Sequence, residues 1–98
     1  MKITFKNGAA YEAQSLLEQK VFNSNASGWV VGFNFSGNLN SQSLDELLTA
    51  ENISQLTVTD TDGAATTVLT GYEKVTSAVI RHTAPSSAII EVQFSKGL

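Results

Sequence analysis

Cysteine is missing from this 98-residue chain. Its absence removes disulfide staples, thiolate metal sites and thiol nucleophiles together. Histidine, proline and tryptophan occur once each, as His82, Pro85 and Trp29. A serine hydrolase needs a base beside a nucleophile and a carboxylate to orient it. His82 is the only candidate base of that kind, and no motif sets a serine and an acid around it. The expectation is a protein that is not an enzyme, with no catalytic residue and no cofactor.

Charge is scarce as well, at 15% of residues against about 25% in ordinary globular chains. Ten threonines, eleven serines and seven asparagines fill the gap, a composition suited to strands and turns. No lysine or arginine occurs from Val21 through Glu73, a stretch that carries six of the nine acids. Nucleic-acid binding needs clustered cations to displace counterions, so no nucleic-acid partner is expected. No apolar run approaches the ~20 residues of a membrane-spanning helix. The first six residues alternate instead of forming the apolar core of a signal peptide. These features predict a soluble protein of the cytosol, without a signal peptide or a membrane partner.

What is present reads mostly as strand. At 98 residues the chain is expected to be a single β-rich domain spanning residues 1–98. Met1 to Lys6 alternates, and Asn7-Gly8 marks a tight hairpin turn because both residues tolerate positive φ. Tyr11 to Phe22 fits two patterns. As a helix it would align Ala13, Leu16, Leu17 and Val21. As a strand it would put Tyr11, Ala13, Leu17 and Val21 on one face. The preceding turn favours a strand, bent near Ser15. Residues 23–28 read as a loop. Trp29, Val31, Phe33 and Phe35 then alternate with smaller or polar residues, the clearest half-buried strand of the chain.

A single helix start stands out at Ser43-Leu44-Asp45-Glu46. Ser43 and Glu46 have capping-box spacing, and Leu44, Leu47 and Leu48 make an apolar stripe. Asn52 is the expected stop. Further strands are expected from Leu56 to Thr59, Thr66 to Thr70, Tyr72 to His82 and Ala88 to Phe94. The long third one is read with Val75 and Val79 on one face and Tyr72, Ala78 and Ile80 on the other. Turns fall at 60–63 and 84–87. The fold class is therefore mainly β (α+β). Six to seven mostly antiparallel strands form a small sandwich or barrel, with one short capped helix near residues 43–51.

Few residues suggest a site. Asp60-Thr61-Asp62-Gly63 resembles the start of a calcium loop, but that loop needs glycine at position six and glutamate at twelve. Those positions hold Ala65 and Gly71, so the segment reads as a turn and no metal site is expected. Asp45 and Glu46 are neighbours on a helix and cannot act as an acid/base pair. Three glycosylation sequons, at Asn25, Asn34 and Asn52, are expected to be unused. Trp29, Tyr11 and Tyr72 are the candidate ligand or interface residues. For Trp29, a place in the core is the stronger reading and a sugar-stacking platform the weaker.

Several pieces together carry a resemblance. They are Met1-Lys2-Ile3-Thr4-Phe5-Lys6-Asn7-Gly8, Ser43-Leu44-Asp45-Glu46-Leu47, the strand and acidic turn from Asn52 to Gly63, Gly71-Tyr72, and Ile89-Ile90-Glu91-Val92-Gln93-Phe94. Their order resembles small structural proteins encoded in the morphogenesis regions of tailed phages and prophages of Gram-positive bacteria. That resemblance implies a non-enzymatic virion protein of the tail, baseplate or capsid, assembled in the host cytoplasm. Its partners would be other virion proteins and its own copies in a homo-oligomer. A strand edge such as Ala88 to Phe94 would extend a sheet between subunits. The alternative is a carbohydrate- or cell-surface-binding module that uses exposed aromatics.

Overall fold

The computed structural model describes residues 1–22, 27–63, 65–84 and 87–97. Its chain order is β1 (Lys2–Thr4), β2 (Ala10–Phe22), β3 (Ser27–Gly37), α1 (Ser41–Leu47), α2 (Ala50–Ile53), β4 (Gln55–Thr59), β5 (Thr66–Thr70), β6 (Lys74–Ala84) and β7 (Ser87–Gly97). All seven strands join one antiparallel sheet in the order β5-β4-β1-β2-β3-β7-β6. The mainly β fold with a short helical segment is thus the one the composition and alternation predict.

The hairpin at Asn7-Gly8 is present. The Gly8 N–H donates to the Phe5 carbonyl (2.9 Å) and the Phe5 N–H to the Ala9 carbonyl (2.8 Å). Gly8 takes the positive φ of +93°, and Asn7 instead accepts the Ala9 N–H through its side chain. This turn delivers the chain into β2, which is a strand along its whole length.

β2 is bent at Ser15, whose φ of 57° lies in the left-handed region. Ala10 to Glu12 pair with β1, and Ala13 onward with β3, with a bulge between Gln14 and Leu17. A bulge adds one residue and reverses the side-chain alternation beyond it. Tyr11 and Ala13 therefore face inward, but Leu17 is 60% exposed. The expected shared face of Tyr11, Ala13, Leu17 and Val21 is corrected here. Leu17 and Val21 oppose Gly32 and Gly28 on the outer side, while Glu18 opposes the buried Val31 on the inner side.

The two borders of the sheet, β5 and β6, are joined by only Gly71, Tyr72 and Glu73. Six strand spacings in a flat sheet would separate them by roughly 29 Å. Four residue steps reach at most about 14 Å. The sheet must curl, and its inner face becomes the core. Phe5 lies at the centre of that core, 5.9 Å from Phe35, 6.1 Å from Tyr11 and 6.5 Å from Phe33 between ring centroids. Ile90, Val92 and Phe94 of β7 line the same interior.

The helical segment packs Leu44, Leu47 and Ile53 into this core. It differs from the expected single capped helix in two ways. Asn40, not Ser43, is the cap, accepting the Ser43 N–H at 2.8 Å. Asp45 and Glu46 lie beyond the first turn. The helix also breaks at Leu48 and restarts as α2, capped by Thr49. Asn52 is not a stop but a buried residue inside α2. Its Nδ2 donates to the Leu47 carbonyl (2.7 Å) and its Oδ1 accepts the Asn7 N–H (2.8 Å). Leu44 and Leu47 are buried as the stripe predicts.

The acidic turn is also as expected, with the Gly63 N–H donating to the Asp60 carbonyl and Gly63 at φ +73°. Residues 23–26 of the expected loop lie outside the described residues, while Ser27 and Gly28 already belong to β3. Residues 85–86 of the last turn are likewise outside them. In β6 a bulge between Val75 and Ser77 changes the expected faces. Val75 pairs with Phe94 and joins Ala78 and Ile80 on the inner side, and Val79 turns outward. Tyr72 precedes β6 and does not share its alternation.

Candidate functional site

The three aromatic candidates do not form one site. Tyr11 is half-buried on the inner face, 5.0 Å from the Phe35 ring and edge-on to Phe5. A Cβ on Gly37 would come within 3.3 Å of the Tyr11 ring, so glycine permits this close packing. Tyr11 packs against the core, and so does Trp29.

Tyr72 is fully buried in the link between β5 and β6. Its hydroxyl donates to the Glu18 carboxylate. The Lys96 ammonium lies 4.6 Å from its ring centroid and donates to the Thr70 carbonyl. Burial pushes the phenol well above the ordinary tyrosine range, and the Glu18 hydrogen bond and negative charge add to the shift. Glu18 and Lys96 were not read as functional from sequence. The bulge at Ser15 is what turns Glu18 inward to meet the tyrosine. Sequence alternation alone places it on the wrong face.

Trp29 is half-buried near the start of β3. The Lys20 ammonium sits 5.9 Å from its ring and 5.1 Å from that of Phe22, which is 66% exposed. Beside Trp29 is an open cleft of about 310 Å³, with Val21, Val30, Glu73, Lys74 and Lys96 in its walls. Among the described residues Trp29 shares no ring contact with either tyrosine. His82 lies exposed on β6 opposite Ala88, and Asp45 and Glu46 are exposed on α1. No group of three or more His, Asp or Glu side chains gathers to hold a metal among the described residues. None of the described helices is long and apolar enough to cross a membrane.

The larger candidate surface is a sheet border. The expected edge, Ala88 to Phe94, is interior, because β7 is paired on both sides, with β3 and with β6. Alternation cannot reveal this. A half-buried edge strand and a half-buried central strand share the same pattern, and only the strand order separates them.

The actual borders are β5 and β6. β5 has five residues and β6 has eleven, nine of them exposed. Each border has one strand neighbour, so alternate backbone N–H and C=O groups point away from the sheet. Arg81 on β6 pairs back toward β7, 3.3 Å from Glu91, and Thr76 donates to the Gln93 carbonyl (3.1 Å). Both side chains leave the outward backbone uncovered. Comparison with protein-family models, with curated proteins and with solved structures finds no match for this chain.

Proposed function

We propose that this protein is a non-enzymatic structural or accessory component of a phage virion. It acts by self-association and by docking on other virion proteins in a tail, baseplate or capsid, and it is assembled in the host cytoplasm. The observation that carries the reading is the long β6 border, exposed along nine of its eleven residues. A border strand is a template for main-chain pairing with another chain. The order of strand, helix and turn pieces that resembles phage morphogenesis proteins supports the virion assignment.

Two measurements test it. Sedimentation over a range of concentrations should show reversible association. Mass spectrometry of purified phage particles should find the protein at a fixed ratio to the other virion proteins. A strict monomer at high concentration, absent from particles, would overturn the proposal.

One observation favours a second reading, a carbohydrate- or cell-surface-binding module. Trp29 borders an open cleft that three charged residues also line. In that reading Trp29 stacks on a sugar ring, while Tyr11 and Tyr72 serve the core. Glycan binding that disappears in Trp29→Ala with an unchanged melt would favour it over assembly. Glycan binding that survives in Trp29→Ala, or is absent from the native protein, removes it.

A further inference from the structure

We propose that the partner of β6 is the β6 of a second copy, paired antiparallel about a twofold axis at Val79. The two curled sheets then join into one continuous sheet. This inference rests on the self-association reading and names the surface and the register.

The argument starts from the irregularities of the strand. β6 departs from regular pairing with β7 between Val75 and Ser77 and again between His82 and Ala84. Bulges twist an edge away from further pairing. They leave a regular run from Ser77 to His82, each residue opposite one residue of β7. That run has no proline and no acid, and it carries the β-branched pair Val79 and Ile80. Val79 points to the outer side and is 45% exposed, a large apolar side chain without cover.

Charge selects the direction. A parallel copy in register would place Arg81 beside Arg81 and Lys74 beside Lys74, about 4.8 Å apart by strand spacing. Like charges directly opposite are destabilising. The antiparallel arrangement sets Arg81 against Ser77, Ala78 against Ile80, and Val79 against Val79. The two Arg81 Cα positions are then about 14 Å apart, beyond the Debye length of about 8 Å at physiological ionic strength. Each Arg81 also keeps its own Glu91 at 3.3 Å.

Geometry selects the faces. An antiparallel pair related by a twofold axis perpendicular to the sheet keeps outer face against outer face. Directly opposed residues must therefore come from the same side of the sheet. The Val79-centred register meets this condition, with Ser77, Val79 and Arg81 all on the outer side and Ala78 and Ile80 on the inner. It also places a small residue beside a large one and covers Val79 with its own copy.

The missing cysteine makes the test clean, because any introduced thiol is the only one. Under mild oxidation Val79→Cys should form a covalent dimer with itself. Ser77→Cys and Arg81→Cys should each cross-link at least tenfold more slowly alone. Mixed together, they should cross-link readily to each other. Val79→Lys places two ammonium groups face to face on the axis and should raise the dissociation constant at least tenfold with an unchanged melt.

Self-cross-linking of Ser77→Cys or Arg81→Cys as fast as Val79→Cys would overturn the register. Association that persists in Val79→Lys, with no β6 cross-link, would overturn the inference and leave self-association through another surface standing. A native protein that stays monomeric would overturn the self-association reading itself.

Discussion

The helical corner and the β6 border treat their backbone polar groups in opposite ways. At the corner, Asn40 and Thr49 cap the helices, and Asn52 bonds to both Leu47 and Asn7. Three side chains thus account for groups that helix ends and a hairpin turn would leave unpaired. At β6 the side chains bond back toward β7, and the outward backbone is left to water or to a partner. The first region is where folding is secured, because buried polar groups without partners are expensive. The second packs Val75 and Ile80 on the core from its inner side, but its outward backbone has no strand neighbour, which leaves that edge free for association.

Breaking the corner should produce the largest effects. Leu47, at the end of α1, is buried in the core cluster, so Leu47→Ala should cost about 2–4 kcal/mol through lost burial and a cavity. A denaturant melt measures it directly, and an unchanged midpoint would make the helix a docking face. Asn52→Leu is next, at about 2–3 kcal/mol, since it keeps the branched outline of the side chain but leaves the Leu47 carbonyl and the Asn7 N–H without their partner. Faster amide exchange at Asn7 in this variant is the specific sign. Asn52 heads the third sequon, and its buried Nδ2 is committed to the Leu47 carbonyl. The folded chain therefore does not offer it for glycosylation.

Tyr72 lies between the two regimes, at the link that joins one border of the sheet to the other. Its folded state favours the neutral phenol, because burial and Glu18 both oppose ionisation. The unfolded tyrosine ionises near pH 10. The stability from this group is complete below that pH and is lost as the pH rises above it, by up to ~1.4 kcal/mol per pH unit. Tyr72→Phe should cost about 1–2 kcal/mol at neutral pH by removing a hydrogen bond to a carboxylate. The same variant should flatten the alkaline loss. Urea melts of both proteins at about pH 8 and about pH 11 test this. Equal alkaline slopes would mean that Tyr72 is not the group responsible.

The legible parts of the fold were those with strong local chemistry. Asn7-Gly8, Asp60 to Gly63 and the alternation of Trp29 to Phe35 each specify a conformation within a few residues, and each is observed. Ser15 was legible as a bend. Its consequence was not, because a one-residue bulge moves Leu17 outward and Glu18 inward without changing the local pattern. The same loss of phase at Val75 to Ser77 misplaces Val79. Asn52 looked like a terminator because asparagine favours helix ends, but its two long-range bonds come from tertiary packing. The border position of β6 was not legible either, since strand order is set by pairing between segments far apart in the chain. Of the aromatic candidates, Tyr72 is absorbed by the core, Tyr11 and Trp29 pack against it half-buried, and Trp29 also lines a cleft.

The smallest expected effect sharpens the contrast most. Val79→Thr keeps the shape and the strand preference of the side chain and exchanges one methyl for a hydroxyl. In the core such an exchange is costly, because the hydroxyl loses water without gaining a partner. On the outer side of β6 the hydroxyl stays solvated in the monomer. The melt at high dilution should therefore shift by no more than ~0.5 kcal/mol. The same variant at high concentration should associate more weakly than the native chain, because pairing about Val79 would bury the hydroxyl on the axis. A large shift at dilution would mean that the outer side of β6 is already covered within the monomer, and the contrast between a secured corner and an open border would fail.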